Sequence, residues 1–134
     1  MDFTLTMEII CDTSFMMVLG STPFQNIESI ESYLGSMHFR VPYLVADELR
    51  QLERRCGPKR SRMAKAALSL IGPKFKLINL PPSKYADEAI IKYSSCHNCA
   101  VATIDRELKS RLIKNKVLVI TLRDNKLIVS NRRY

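Results

Sequence analysis

Short apolar runs alternate along this chain with longer segments in which apolar residues recur at helical spacing. A continuous apolar run is typical of a strand that is buried on both faces of a sheet. Such strands are predicted over residues 9–11, 39–41, 75–80, 100–104 and 117–122, with a short sixth strand over residues 126–130. Because the strands alternate with helical segments, the pattern predicts one α/β domain, residues 1–134, with a mainly parallel sheet.

The helical segments are bounded by residues that favour the start or the end of a helix. Helices are predicted over residues 27–34, from Pro42 through Leu44, Val45, Leu49 and Leu52 to about Gly57, over residues 63–71, through Ala86, Ile90 and Tyr93, and from Arg106 to about Lys114. Asn26 and Ser61 are the expected N-caps of the first and third helices. Residues 20–23, with the sequence Gly-Ser-Thr-Pro, are predicted to form a loop.

The composition is that of an ordinary globular chain of 134 residues, with 46% hydrophobic and 25% charged residues. No apolar run approaches the length of about 18 residues that a membrane-spanning helix needs. The N-terminus lacks the charged and apolar regions of a secretory signal. Cys11 falls inside a predicted buried strand, so the four cysteines are expected to be reduced thiols and the protein to be cytoplasmic.

Charge is segregated along the chain, within a net charge of +8. Residues 1–53 carry a net charge of −6, residues 54–86 carry +9, residues 87–105 carry −2 and residues 106–134 carry +7. Basic segments that flank acidic ones suit a polyanion held against cation-binding carboxylates. A solvated lysine-rich face explains the same charges, so the pattern alone leaves both interpretations open.

Four carboxylates lie where an apolar run ends or a helix begins: Asp12, Glu48, Asp87 and Asp105. Ligands of open α/β sheets bind outside the carboxyl ends of the strands. Carboxylate oxygens are the ligands that Mg²⁺ and Mn²⁺ prefer, with water and substrate phosphate completing the octahedron. Acids that converge repel one another unless cations lie between them. The set therefore predicts a cation site suited to two-metal cleavage of a phosphodiester.

Each acid also has a structural explanation. Asp87, near a helix N-terminus, offsets the helix macrodipole. Asp105 can be a simple N-cap, and Glu48 can belong to an exposed ion pair on its helix. Asp12 is harder to explain in this way, because a strand end with the sequence Asp-Thr-Ser has little purpose in a core.

In their order and spacing, these segments resemble the PIN domain, a family of metal-dependent nucleases. The matching segments are Ile10-Cys11-Asp12-Thr13-Ser14, Val45-Ala46-Asp47-Glu48-Leu49, Ala86-Asp87-Glu88-Ala89-Ile90-Ile91 and Val101-Ala102-Thr103-Ile104-Asp105. The resemblance covers residues 7–122 and implies a three-layer α/β/α sandwich whose mainly parallel sheet has about five strands. It also implies an endoribonuclease that depends on Mg²⁺ or Mn²⁺, acts on single-stranded RNA and often forms a homodimer.

The resemblance assigns catalysis and metal binding to Asp12, Glu48, Asp87 and Asp105, with Ser14 and Thr103 as supporting hydroxyls. Asp47 and Glu88 compete for the second and third positions. Glu48 and Asp87 are preferred because they lie in register with the apolar residues around the family's acids. Neighbours on a helix point about 100° apart, so only one of Asp47 and Glu48 can face the cluster.

Two segments, residues 85–88 and 102–109, are most similar to the archaeal and eukaryotic branch of the family that processes ribosomal RNA. The bacterial and archaeal toxin branch is the runner-up. Three functions therefore stay open: a nuclease of rRNA processing, a toxin ribonuclease silenced by an antitoxin, and a non-catalytic RNA-binding scaffold.

Contacts with RNA phosphates are predicted for one basic cluster and for the tail over residues 123–133. The cluster consists of Arg54, Arg55, Lys59, Arg60, Arg62 and Lys65. Tyr33, Phe39, Tyr43 and Tyr93 are candidates for stacking on bases, although ordinary packing also explains them. The segment over residues 96–99, Cys-His-Asn-Cys, lacks the second cysteine pair of a structural zinc site, and His38 is expected to be a surface histidine.

Overall fold

The computed structural model describes residues 6–21, 36–72 and 75–130. The strands in these ranges are β1 (Thr6–Cys11), β2 (Ser36–Pro42), β3 (Phe75–Ile78), β4 (Cys99–Ala102), β5 (Leu118–Arg123) and β6 (Lys126–Ser130). The helices in these ranges are α1 (Thr13–Ser21), α2 (Tyr43–Arg55), α3 (Pro58–Ser69), α4 (Ala86–Cys96) and α5 (Arg106–Lys114). The predicted helix over residues 27–34, with its N-cap at Asn26, lies outside the described residues.

The described strands form a single sheet in the order β3-β2-β1-β4-β5-β6. All neighbouring strands are parallel except β6, which is antiparallel to β5. Helices α1, α2 and α3 pack against one another, and α4 packs against α5. The predicted three-layer α/β/α sandwich with a mainly parallel sheet is therefore confirmed, with six strands in the described part of the chain.

The strand order of the sheet reverses direction beside β1. The chain runs from β1 to β2 and β3 on one side, and later adds β4 and β5 on the other side. In β1, Ile9 lies opposite both Phe39 and Ala100, and all three residues are buried. Open α/β sheets bind ligands at such a switch point, outside the carboxyl ends of the strands. The fold therefore puts the residues that follow β1 and β4 at the favoured position for a site.

Helix α1 was not predicted from the sequence. Its side chains at Phe15, Met16, Met17 and Leu19 are all buried, so the apolar residues are too dense to show a helical period. Gly20, predicted to begin a loop, belongs to this helix together with Ser21, whereas residues 22–23 lie outside the described residues. The loop prediction was wrong for these two residues because a glycine and a serine in sequence resemble a turn.

Gly20 has a packing role within α1. A Cβ at this position would lie 2.7 Å from the backbone nitrogen of Ala67 and 2.8 Å from the backbone oxygen of Met63, both in α3. Real Cβ atoms almost never approach other atoms so closely. Glycine therefore lets the backbones of α1 and α3 pack directly against each other.

Helix α3 begins earlier than predicted. Gly57 is its N-cap and Pro58 occupies the first turn, where proline is favoured because its missing N–H is not needed. The prediction that Ser61 caps the helix was wrong. The Ser61 hydroxyl instead donates to the backbone oxygen of Glu53 at 2.7 Å and so joins α3 to the end of α2.

Phe39 belongs to the core. It is 1% exposed, and its ring stacks on Phe75 with the centroids 4.8 Å apart. The suggestion that Phe39 stacks on bases was therefore wrong, because a strand between two others buries its apolar side chains. All four cysteines are free thiols, as expected, and Cys11 and Cys99 are buried. Among the described helices, we find none with the length and apolar character needed to cross a membrane.

Candidate functional site

Asp12 lies between β1 and α1 and accepts hydrogen bonds from three donors, one of which, the Ser14 hydroxyl, is shared between its two carboxylate oxygens. Its Oδ1 accepts from the backbone nitrogen of Phe15 at 2.8 Å and from the Ser14 hydroxyl at 2.9 Å. Its Oδ2 accepts from the Thr103 hydroxyl at 2.5 Å and from the Ser14 hydroxyl at 3.0 Å. The bond to Phe15 is that of an N-cap, so Asp12 also starts α1. Asp12 is 5% exposed as a whole residue, and these bonds fix the orientation of its carboxylate.

Burial has the largest effect on the acidity of Asp12. It raises the pKa of this carboxyl from 3.8 to about 6, although the hydrogen bonds from Thr103, Phe15 and Ser14 lower it. The charge of Asp87 also raises this pKa, and the value of about 6 includes its effect. The ionised form of Asp12 is therefore disfavoured in the folded protein unless a cation compensates for it.

Ser14 and Thr103 connect the ends of β1 and β4. The Ser14 hydroxyl accepts from the backbone nitrogen of Ile104 at 3.2 Å, and the Thr103 hydroxyl accepts from that of Asp105 at 3.0 Å. The two hydroxyl oxygens lie 3.4 Å apart. These bonds hold the segment after β4 against Asp12, so both predicted supporting hydroxyls lie beside the carboxylate.

Asp105 caps α5. Its Oδ1 accepts from the backbone nitrogens of Glu107 at 2.9 Å and Leu108 at 3.2 Å. The structural explanation for this acid is therefore correct, but it does not exclude a second role. The two capping bonds are both accepted by Oδ1, so the cap does not use Oδ2.

The pKa values of Glu48 in α2 and of Asp87 in the first turn of α4 are both raised. The pKa of Glu48 is raised, first by burial of its carboxyl and then by the charge of Asp87, and is lowered by a hydrogen bond from the Thr13 hydroxyl. The pKa of Asp87 is raised by burial and by the charge of Asp105, and is lowered by the charge of Arg111. Glu48 as a whole residue remains exposed.

The four predicted acids line one cleft of about 430 Å³. Thr13, Ser14, Arg60 and Ile104 also line this acid cleft. Asp47 and Glu88, the competitors of Glu48 and Asp87, line instead an adjoining groove of about 720 Å³. Asp47 also forms an exposed ion pair with Arg50 at 2.8 Å. The acid cleft is thus lined by the preferred acid of each pair and not by its neighbour.

The donor set of the acid cleft suits a hard cation. In the described part of the chain, no three acid, histidine or cysteine side chains stand close enough as placed to hold a metal ion. Mg²⁺, however, keeps several waters and is usually bound by one or two carboxylates plus substrate phosphates. The charge of Asp87 raises the pKa of Asp12 and Glu48, and the charge of Asp105 raises that of Asp87. A cleft lined by carboxylates that repel in this way fits a hydrated Mg²⁺ or Mn²⁺.

The predicted basic cluster is divided among separate hollows. Arg60 lines the acid cleft itself. Lys59 and Arg62 line a hollow beside Gly20, and Arg54 lines a third hollow. Arg55 and Lys65 are exposed. The structure therefore brings one cation of the cluster to the acids and places Arg54 in a hollow lined by Arg50, Glu53, Leu68 and Ile71.

Of the aromatic candidates that the structure describes, Tyr43 and Tyr93 do not line the acid cleft or its groove. Tyr93 donates its hydroxyl to Glu8 at 2.8 Å, and its ring stacks on His97 with the centroids 3.9 Å apart. Tyr43 is exposed at the start of α2, and Tyr33 lies outside the described residues. Tyr85 does line the groove, although the pattern of its segment, residues 85–88, did not single it out.

Comparisons with known proteins agree with the fold and the motifs. A family model described as a PIN like domain matches residues 9–125. Ribonuclease VapC4 of Methanocaldococcus jannaschii is 31% identical over 123 residues, which cover 89% of this chain and 92% of that protein. The structure of the PIN domain endonuclease Utp24 shares the fold, with a TM-score of 0.69 and 22% identity, over 92% of this chain and 91% of that one. The resemblance found in the motifs is confirmed, and this chain belongs to the PIN-like domain family.

Proposed function

We propose that this protein is an endoribonuclease that depends on Mg²⁺ or Mn²⁺, hydrolyses phosphodiester bonds in RNA and acts in rRNA processing. The observation that carries the proposal is the convergence of Asp12, Glu48, Asp87 and Asp105 on one cleft. These acids come from four separate segments of the chain, so their meeting is not a consequence of local structure. Membership of the PIN-like family and the likeness to an archaeal ribonuclease support the same reaction class.

In this proposal the four acids bind the metal, and Ser14 and Thr103 position Asp12. The bound metal would supply an activated water and stabilise the charge of the leaving oxygen. The three hydrogen-bond donors around Asp12 keep its carboxylate in one orientation, so little rearrangement is needed when substrate arrives. Arg60 would neutralise a phosphate of the RNA that lies in the acid cleft.

The branch of the family is a separate part of the proposal. The similarity of residues 85–88 and 102–109 to the rRNA-processing branch favours that role. A toxin ribonuclease held inactive by an antitoxin is the second candidate, and the 31% identity to ribonuclease VapC4 supports it. A neighbouring gene for a small DNA-binding antitoxin, or growth arrest on expression, would favour the toxin. The single-domain organisation, a homodimer and a cytoplasmic location stay predictions.

The test is incubation of the purified protein with labelled structured RNA, with and without Mn²⁺. We expect cleavage that requires the metal and is abolished by EDTA. Asp12→Asn should lose cleavage while keeping its fold, because it removes one carboxylate of the acid cleft but keeps an acceptor for the helix cap. Cleavage that survives full chelation would contradict the metal mechanism, and wild-type rates in Asp12→Asn would contradict the role of Asp12. A folded wild type that binds RNA without cleaving it would support the scaffold.

Two neighbours on α2 provide a matched pair for the same assay. Glu48→Gln should lower single-turnover cleavage by orders of magnitude, because Glu48 lines the acid cleft. Asp47→Asn should cost little, because Asp47 pairs with Arg50 at the surface. The reverse pattern would transfer the metal-binding role from Glu48 to Asp47.

A further inference from the structure

The groove beside the acid cleft contains the most exposed aromatic ring of the described residues. Tyr85 is 58% exposed and lines this groove together with Lys84 and Arg111. Glu48 and Asp87 line both the groove and the acid cleft. The two depressions therefore adjoin at these acids, and a chain molecule that crosses the acids can extend into the groove.

The surroundings of Tyr85 are those of a binding surface. Tyr85 precedes α4 with an extended backbone, φ −124° and ψ 148°, two residues before Asp87. The Nζ atom of Lys84 lies 5.4 Å from the centroid of its ring. A single exposed aromatic is ordinary on a protein surface. An exposed ring in a groove with two cations, directly beside a set of carboxylates, is a combination that packing does not explain.

Lys84 and Arg111 reduce the repulsion between the acids and a phosphodiester chain. A cleft lined by carboxylates repels a phosphodiester chain, and a strand that crosses it needs positive charge nearby. Arg111 acts close to these acids, since its charge lowers the pKa of Asp87. Lys84 and Arg111 line the groove, whereas Arg60 lines the acid cleft but is not among the residues of the groove. These cations offset part of the negative charge in both parts of the depression; in the groove that charge comes from Asp47, Glu48, Asp87 and Glu88.

We propose that this groove binds one unpaired base of single-stranded RNA with its phosphate: the base stacks on Tyr85, and Lys84 and Arg111 neutralise the phosphate. Aromatic side chains stack on unpaired bases of any sequence, whereas the bases of a duplex are already stacked on each other. The proposal rests on the proposed function, because the strand in the groove is the one whose scissile phosphodiester lies at the acids. It makes Tyr85 a substrate-positioning residue.

A fluorescence experiment tests the stacking without any cleavage. The chain has no Trp, so Tyr85→Trp introduces a single indole. Titration with a short single-stranded RNA, in EDTA at low salt, should quench this indole, and a duplex of the same sequence should quench it far less. Tyr43→Trp is the matched control, because Tyr43 is 49% exposed but does not line the groove. Equal quenching at both positions, or RNA binding detected by anisotropy without quenching at position 85, would overturn the proposal.

Cleavage assays distinguish a failure of this proposal from a failure of the proposed function. Tyr85→Ala should raise KM for single-stranded RNA by about tenfold with a smaller effect on kcat, since stacking contributes to binding. Tyr85→Phe should restore KM because it keeps the ring. Arg111→Gln should lower the salt dependence of binding, and Lys114→Gln on the same helix should not. A wild type that neither binds nor cleaves RNA would contradict both proposals. Cleavage by Tyr85→Ala with an unchanged KM would contradict only the proposal that the groove binds a base.

Discussion

Asp12 combines a structural role with a proposed chemical one. It caps α1 by accepting a hydrogen bond from the backbone nitrogen of Phe15, and it accepts hydrogen bonds from the hydroxyls of Ser14 and Thr103. Hydrogen bonds of this kind favour the ionised form of a carboxyl. Burial nevertheless outweighs them, because it raises the pKa of Asp12 to about 6. The Asp12 carboxylate is therefore needed as the acceptor that caps α1, but burial makes its ionised form unfavourable at neutral pH.

The raised pKa of Asp12 predicts a pH dependence of stability. The folded protein binds the Asp12 proton more tightly than the unfolded chain, so the stabilising contribution is fully present below about pH 4 and is lost as the pH rises to about 6. Without divalent metal, wild type should lose up to about 3 kcal/mol of unfolding free energy relative to Asp12→Asn across this window. Urea unfolding at several pH values measures the difference.

Two further measurements complete this prediction. Addition of Mg²⁺ at pH 7 should raise the free energy of unfolding of wild type more than that of Asp12→Asn, because a bound cation favours the ionised carboxylate. Parallel pH curves for wild type and Asp12→Asn would contradict the assigned effect of burial on Asp12.

At the scale of the elements, the packing of α1 against α3 shapes one wall of the site. The close approach at Gly20 brings the first turns of α3 over α1, where Arg60 and Met63 line the acid cleft. Ala64 and Ala67, both fully buried, are the small residues of α3 in the core. Small side chains on both helices therefore allow a cation on α3 to reach a cleft that begins at the end of β1.

Gly20→Ala should destabilise the protein. Alanine is the better helix former, by about 1 kcal/mol, but its Cβ would collide with the backbone of α3. Forcing extra atoms into a packed contact costs about 1–3 kcal/mol, and we expect this cost to dominate. Gly72→Ala is the control, since nothing lies within 4 Å of a Cβ there. Unfolding by urea compares the two, and an equal or greater stability of Gly20→Ala would show that α1 and α3 separate easily.

At the scale of the whole molecule, folding redistributes the segregated charge. The segment over residues 54–86 carries no acid in sequence, yet its cations end in different surroundings. Arg60 faces the acid cleft, whereas Arg54 lines a hollow with Arg50 and Glu53. Arg111, from a different basic segment, lies at the groove. Positions in the fold, and not the linear charge pattern, decide which cations can contact a bound strand.

Single substitutions separate these cations. Arg60→Gln should lower the slope of log affinity for RNA against log salt by up to about one unit, as expected for one lost phosphate contact. Arg54→Gln removes the same charge from a different hollow and should change the slope less. Anisotropy titrations at several salt concentrations measure both. Equal slopes for the two variants would mean that RNA contacts a broad basic face and not the acid cleft in particular.

Much of the architecture follows from local sequence. Helix α5 and strand β6 lie where the periodicity predicted them, because their ends carry strong local signals. Asp105 caps the helix, and Asp124 and Asn125 have the positive φ values that a two-residue hairpin before β6 requires. The order and spacing of the four acids were sufficient to indicate the family. Their convergence follows from the parallel strands, whose carboxyl ends lie at one edge of the sheet.

Only the tertiary structure decided the rest. Helix α1 was hidden because it is buried on several sides, and a segment with few exposed positions shows no period. The groove of Tyr85 and Arg111 was hidden because its residues come from the segment before α4 and from α5, which meet only when the sheet is assembled. Local sequence determines which residues follow a strand or cap a helix, whereas burial and the meeting of distant side chains depend on packing, which sequence neighbours do not encode.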